Sequence, residues 1–132
     1  MPSFGTLKAD TLTHSTAGSL ATNYVVNGSA KAWSKNKSDN TALLGSFNIS
    51  SLDDDGTGDL GLHLTSAMSD ANYSITLASN DMAAGTSYHF VDLSNGTQTT
   101  SAFDLETGYV KSTADRTNYD NESLQAVHGD LA

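Results

Sequence analysis

At 132 residues the chain has the length of one ordinary domain, too short for a catalytic domain joined to a separate attachment domain. Its 15 Asp and Glu against 6 Lys and Arg give a formal net charge of −9, which repels phosphate backbones and anionic lipid, so nucleic acid and membrane surfaces are excluded as natural partners. The absence of cysteine removes disulfides, thiolate nucleophiles and zinc-thiolate sites together, and leaves cohesion to packing or to association between chains.

In chain order, the first segment is the least regular. MPSFGTLKADTLTHS has neither a basic start nor a long apolar run, so it reads as neither signal peptide nor membrane anchor, and the product is expected to be made in a cytoplasm and remain soluble. Phe4, Leu7, Leu12 and Leu20 are spaced too irregularly to close a core within one chain. Residues 1–23 therefore read as an extended docking arm, whose threonines suit extended structure and whose apolar side chains meet another chain.

From residue 24 onward, period-two alternation replaces helical periodicity, which Gly, Ser, Thr, Asn and Asp interrupt throughout. Tyr24-Val25-Val26 leads toward Ala30-Lys31-Ala32-Trp33. Leu43 to Leu52 reads as one strand with Leu43, Gly45, Phe47 and Ile49 on one side. Leu60, Leu62 and Leu64 alternate, then Tyr73, Ile75 and Leu77. Tyr88 to Val91, Thr99 to Leu105 and Ser123 to His128 complete the set. Asn27-Gly28, Asp55-Gly56 and Asn95-Gly96 supply the turns, and the single proline, Pro2, lies where it disturbs no ladder. Short strands separated by such turns predict an all-β fold, an antiparallel β-sandwich or jelly-roll-like barrel over residues 24–132.

Candidate chemistry is sparse. Asp53, Asp54, Asp55 and Asp59 crowd one turn, but with Gly56 at the sixth position of a calcium loop the twelfth is Leu62, so the EF-hand template fails. A polar hairpin joining Phe47–Leu52 to Leu60–Leu64 is the expectation, with a looser cation site on Asp53–Asp59 left open. His14, His63, His89 and His128 lie on separate elements without metal-binding spacing, and His63 points away from the Leu60/Leu62/Leu64 face. No nucleophile elbow, phosphate loop or dinucleotide fingerprint is present, and Asp104 and Glu106 share a strand face instead of opposing each other across a substrate. The chain is thus expected to be no enzyme, with no catalytic residue, metal or cofactor. Trp33, Tyr24, Tyr73, Tyr88, Tyr109 and Tyr119 are candidates for a sugar-stacking platform suited to a receptor-binding module, with Trp33, Tyr73 and Tyr88 the candidate aromatic contact surface, and core or interface packing is the competing role. Six Asn-x-Ser/Thr triplets follow from a composition rich in Asn, Ser and Thr.

Four spaced motifs carry a family resemblance: Lys31-Ala32-Trp33, the Ser46 to Ser51 strand, the Asp54 to Asp59 hairpin and the Ala67 to Tyr73 segment. In this order they resemble a domain at the C-terminal ends of bacteriophage structural proteins, tail fibres and decoration proteins of marine and cyanobacterial phages. The resemblance covers about two fifths of the chain, Asn27 to Ala78, and Gly5 to Leu12 is similar to the extended segments that precede this domain. The chain departs from the pattern after Trp33, where Ser34-Lys-Asn-Lys-Ser-Asp-Asn40 replaces an apolar and Asn/Gly-rich continuation, and the closing Ser123 to Gly129 matches only weakly. The resemblance implies a virion protein, commonly trimeric, with no catalytic residues to carry over, and it selects the hairpin for the acidic turn.

The expected function is that of a homotrimeric capsid decoration protein, a knob or cement subunit, docked on other virion proteins through Phe4, Leu7, Leu12 and Leu20. A stalk and a dedicated anchor do not fit this length, which favours the head over the tail. The alternative is a small tail-fibre or tail-tip protein that binds a host-surface glycan.

Overall fold

The structure, a computed structural model, describes residues 9–16, 18–80, 88–94, 98–111 and 115–132. Its body is an antiparallel β-sandwich, and the sheets do not close into a barrel. The first sheet contains β5 (Ile49–Gly56), β6 (Asp59–Leu64), β8 (Tyr88–Leu93), β9 (Ala102–Val110) and β10 (Arg116–Asn118), with β5 on β6, β6 on β9, and both β8 and β10 on β9. The second runs β4 (Leu43–Phe47), β3 (Ala32–Asn36), β11 (Ser123–His128) and β7 (Ser74–Ser79).

Alternation decides which side chains meet between the sheets. Leu60, Leu62 and Leu64 of β6 face inward beside Phe103 and Leu105 of β9, in the pairs Leu60↔Leu105 and Leu62↔Phe103. Opposite them lie Ala32, Val127 and the half-buried Ile75 and Leu77. Met68 and Tyr73, from the connection between β6 and β7, close one end of this core. The Tyr73 ring meets Phe103 edge-on at 6.4 Å, and its hydroxyl donates to the carbonyl of Thr99 at 2.8 Å.

Toward the other end the interior turns polar. Ser34 Oγ donates to Gln125 Oε1 at 2.8 Å, the Ser123 N–H to Asn36 Oδ1 at 3.0 Å, and Asn36 Nδ2 to Asn40 Oδ1 at 2.6 Å and to the Asn121 carbonyl at 2.9 Å. All of these side chains are buried, so the mutual hydrogen bonds are what makes their desolvation tolerable. The polar stretch after Trp33 therefore supplies the interior: Ser34, Asn36 and Asn40 are all buried, and Asn40 turns the chain at φ 53°.

Two sequence expectations are corrected. Leu43 to Leu52 is not one strand: Asn48, at φ 57°, breaks it into β4 and β5, which belong to different sheets. Asn48 holds this corner by donating from Nδ2 to the Lys31 carbonyl at 3.0 Å and accepting the Ser66 N–H on Oδ1 at 2.7 Å. Asn tolerates the left-handed region better than other non-glycine residues, and the crossing places Phe47 on the outside of one sheet while Ile49 packs toward the core of the other. Tyr24-Val25-Val26 does not lead into a strand. It lies in a short helix, α1 (Thr22–Gly28), with no buried residue, its last turn closed by the Ser29 N–H on the Val25 carbonyl at 3.1 Å.

Ahead of that helix, the part of the expected arm that is described is not simply extended. It is a two-stranded hairpin, β1 (Thr11–His14) and β2 (Gly18–Ala21), with Leu12 directly opposite Leu20. No backbone hydrogen bond among the described residues ties this hairpin to the sandwich. The acidic turn is a hairpin between β5 and β6, but its tip is Thr57-Gly58, and Asp53, Asp54 and Asp55 lie on the strand. Asn95 and Gly96 lie outside the described residues. Among the described residues no helix is long and apolar enough to cross a membrane.

Candidate functional site

The polar end of the sandwich opens into a groove of about 550 Å³, lined by Ser38, Asp39, Thr57, Asn80, His89, Tyr109, Tyr119, Asp120, Asn121 and Glu122. Strand β9 builds its wall. Its inward row runs Phe103, Leu105, Thr107, Tyr109, so the residue type changes from apolar to amphipathic as the strand leaves the core. On β8, His89 is registered opposite Tyr109 and faces the same way.

Tyr119, just past β10, completes an aromatic wall. Its N–H donates to the Thr107 carbonyl at 3.1 Å, and Thr107 Oγ1 donates back to the Tyr119 carbonyl at 3.0 Å. Ring centroids lie 5.7 Å apart for Tyr109 and Tyr119, 6.3 Å for His89 and Tyr109, and 6.2 Å for His89 and Tyr119. At these spacings the rings pack against one another, two of the contacts edge-on, which makes a wall and not a cage around a void, and Lys111 Nζ lies 5.3 Å from the Tyr109 ring centroid.

Two glycines let the backbone come this close. Gly58, at φ +74°, is approached so tightly that a Cβ would stand 2.4 Å from the Thr107 carbonyl oxygen. At Gly108 a Cβ would meet the Thr117 carbonyl at 2.3 Å and the Phe90 ring at 2.6 Å. A side chain at either position would force the hairpin tip or β10 away from the wall.

The floor and rim are acids and amides held by the buried network. Asp120 Oδ1 accepts the Gly58 N–H at 2.6 Å and Asn40 Nδ2 at 3.2 Å, and Asn121 Nδ2 donates to the Gly108 carbonyl at 2.6 Å. Glu122 Oε1 receives Lys35 Nζ at 2.9 Å and Asn80 Nδ2 at 2.6 Å, and these two bonds hold its carboxyl below the ordinary range. Asp39 is bonded by Lys37 at 2.6 Å and by Thr41 Oγ1 at 2.7 Å, which lower it to about 2. The groove thus has one aromatic wall and a rim of ionised carboxylates, two of them ion-paired to Lys35 and Lys37.

The residues singled out from sequence fall elsewhere. Phe4 and Leu7 lie outside the described residues, while Leu12 and Leu20 are exposed at 41% and 47%. Trp33, Tyr73 and Tyr88 are not brought together: Trp33 lies on the outer face of the second sheet, Tyr88 projects outward from the start of β8, and Tyr73 is a core residue whose burial pushes its hydroxyl up to about 12. Tyr73 therefore contributes to no aromatic surface. His63 points outward as its register requires and bonds Asp53 Oδ2 at 2.8 Å. Among the described residues no group of three or more His, Asp or Glu side chains is placed to hold a metal ion.

Sequence reasoning counts Tyr109 and Tyr119 among the candidate sugar-stacking aromatics but misses their pairing with His89 and the Asp120–Glu122 run. The available signal was Tyr109, which keeps the period-two phase of Phe103 and Leu105 but places an amphipathic ring where the core would end.

The outer faces contrast in charge. Asp53, Asp55, Asp59, Asp92, Asp104 and Glu106 cover the outside of the first sheet, countered by Arg116, which reaches Asp92 at 3.1 Å and Glu106 at 3.5 Å. The outer strand positions of the second sheet carry Trp33, Phe47, Leu124 and Ala126 with Lys35 and His128, and no acid. Trp33 is registered between Phe47 and Ala126, and its ring lies over Gly45. Comparison with protein-family models, curated proteins and solved structures finds no match to this chain.

Proposed function

We propose that this chain is a non-enzymatic structural protein of a bacteriophage particle, a homotrimeric capsid decoration subunit attached through its N-terminal segment. The observation that carries the reading is the pattern of β3 and β11 in the second sheet. Ser34, Asn36, Ser123 and Gln125 point inward, while Trp33, Phe47 on the neighbouring β4, Leu124 and Ala126 point outward, with Trp33 exposed at 45% and Phe47 at 56%. A sheet that buries amides and exposes its aromatics gains stability when its outer face is covered. A second copy of the chain suits that face, because Asp53, Asp55, Asp59, Asp92, Asp104 and Glu106 are gathered on the opposite side of the sandwich and Glu122, beside the second sheet, is ion-paired to Lys35.

The hairpin supports attachment. Leu12 and Leu20 sit side by side and exposed, followed by the exposed Tyr24, Val25 and Val26 of α1, a set of apolar side chains that its own sandwich does not cover. The threefold order and the phage particle rest on the resemblance of Asn27 to Ala78.

Sedimentation of the purified chain across a dilution series tests the assembly: a species of three chains is expected, and a compact monomer at every concentration overturns it. Labelling the protein on intact particles tests its place. The head is expected, and a tail location would favour the alternative, a small tail-fibre or tail-tip receptor protein, for which the groove is the supporting observation.

A further inference from the structure

The geometry points to the groove of Tyr109, Tyr119, His89, Asp120 and Glu122 as a binding site for a neutral saccharide. Three features select this ligand class. Tyr119, exposed at 51%, gives a ligand the most accessible ring of the wall, and a pyranose presents a matching face of C–H groups. Along the floor, Asp120 and Glu122 each take their described hydrogen bonds on a single oxygen, Oδ1 and Oε1, so the second oxygen of each remains an acceptor for hydroxyl donors.

These acceptors are also pre-positioned. Asp120 is fixed by a backbone N–H and a buried Asn, Glu122 by a Lys and an Asn, so little side-chain freedom is lost on binding. The volume of about 550 Å³ lies in the range of small-ligand clefts, roughly 300–1,000 Å³, and admits a short oligosaccharide.

Charge sets the limit on the class. Asp39, Asp120 and Glu122 surround the groove, and the directions of the Asp39 and Glu122 shifts keep both ionised at neutral pH. Sugars bearing carboxylate or phosphate are therefore repelled, while neutral hydroxyls meet acceptors. Lys35 and Lys37 offset Glu122 and Asp39 through their ion pairs, and Lys111 Nζ lies 5.3 Å from the Tyr109 ring centroid, so the exclusion of anions rests on the Asp120 and Glu122 oxygens that take no described hydrogen bond.

The inference rests on the receptor reading of the groove and is independent of how the chain assembles. Its test is a titration of the isotopically labelled full chain with the methyl glycosides of glucose, galactose, mannose and N-acetylglucosamine, followed by backbone amide shifts, with glucuronic acid as the anionic comparator. The expected result is saturable shifts centred on Tyr109, Tyr119 and Asn121 with at least one neutral glycoside and none with glucuronic acid. Tyr119→Ala should weaken that binding about tenfold or more, whereas Tyr119→Phe, which keeps the ring, should retain it.

Absence of shifts with all four neutral glycosides overturns the inference, as does equal binding of glucuronic acid. If Tyr119→Ala disturbs folding, the Tyr119→Phe variant decides, because loss of binding there contradicts a stacking wall. A monomer that binds the glycoside would remove the assembly reading alone, and a trimer that binds none would remove this inference alone.

Discussion

The two sheets solve the same folding problem with opposite surfaces. In the first, the inner row is Leu60, Leu62, Leu64, Phe103 and Leu105 and the outer row is acidic. In the second, the central strands β3 and β11 bury Ser34, Asn36, Ser123 and Gln125 and turn Trp33, Leu124 and Ala126 outward. The first sheet is a self-sufficient amphipathic layer. The second adds Ala32, Val127, Ile75 and Leu77 to the core but buries as many amides and hydroxyls, which are tolerated because they bond to one another, and its outside has the composition of an interface.

Substitutions on the inside separate the two modes of cohesion. Phe103→Ala removes a fully buried ring from the first sheet and from the edge contact with Tyr73, and should cost about 3–5 kcal/mol in urea unfolding. Asn36→Ala removes the hub of the polar network. It strands the Ser123 N–H and the Asn121 carbonyl in a buried setting, with an expected cost of roughly 2–4 kcal/mol. A cost near zero for Asn36→Ala would mean that the network is not what holds the second sheet's interior.

On the outside of the second sheet, the Trp33→Ser, Phe47→Ser double variant should lower the stability of the isolated subunit by only about 1 kcal/mol, since both rings are half exposed. Its main effect should appear in sedimentation, as a shift from trimer to monomer. An unchanged trimer would show that subunits meet elsewhere and would leave the contrast between the sheets without a functional meaning.

The legibility of the two sheets differs for the same reason. The first was readable because Leu60, Leu62 and Leu64 alternate with polar or small residues, and Phe103 and Leu105 repeat the phase, so pattern and burial agree. The second was readable as strands but not as faces. Ser34, Asn36 and Asn40 look like a solvated stretch in sequence, and only long-range partners such as Gln125 and Ser123 reveal that they are inside. Asn48 defeated the Leu43 to Leu52 reading because a single left-handed residue swaps sheets without interrupting the alternation. Tyr109 and Tyr119 were legible as candidate stacking rings, but their assembly into a groove was not, because its wall combines β8, β9 and the residue after β10, and the three-residue β10 carries no apolar signal at all. The acidic hairpin was legible as a turn, yet its acids serve the outer face of a strand.

That outer face gives the smallest effect and the sharpest sign. Burial raises the Asp59 carboxyl above its ordinary value of 3.8, and the neighbouring charges of Asp55, Asp104 and Glu106 push it the same way. In the interval between 3.8 and the raised value the folded chain binds more protons than the unfolded chain, so Asp59's unfavourable contribution is present at neutral pH and fades as pH falls through that interval. Asp59→Asn should therefore stabilise the fold at pH 7, by a few tenths of a kcal/mol once solvent screening of this partly exposed site is counted. The advantage should shrink in high salt and vanish as pH falls below 3.8, where wild-type Asp59 is itself neutral. Urea midpoints of both proteins, compared at pH 7 and across the acid range, measure it. Glu122 and Asp39 act in the opposite direction on both proteins, since their lowered values withdraw stability as acid is added, so the difference between the two curves isolates Asp59. A gap that stays constant with pH would assign the gain to the amide's own hydrogen bonds, and the acids of the first sheet would then be a solvated surface without mutual strain.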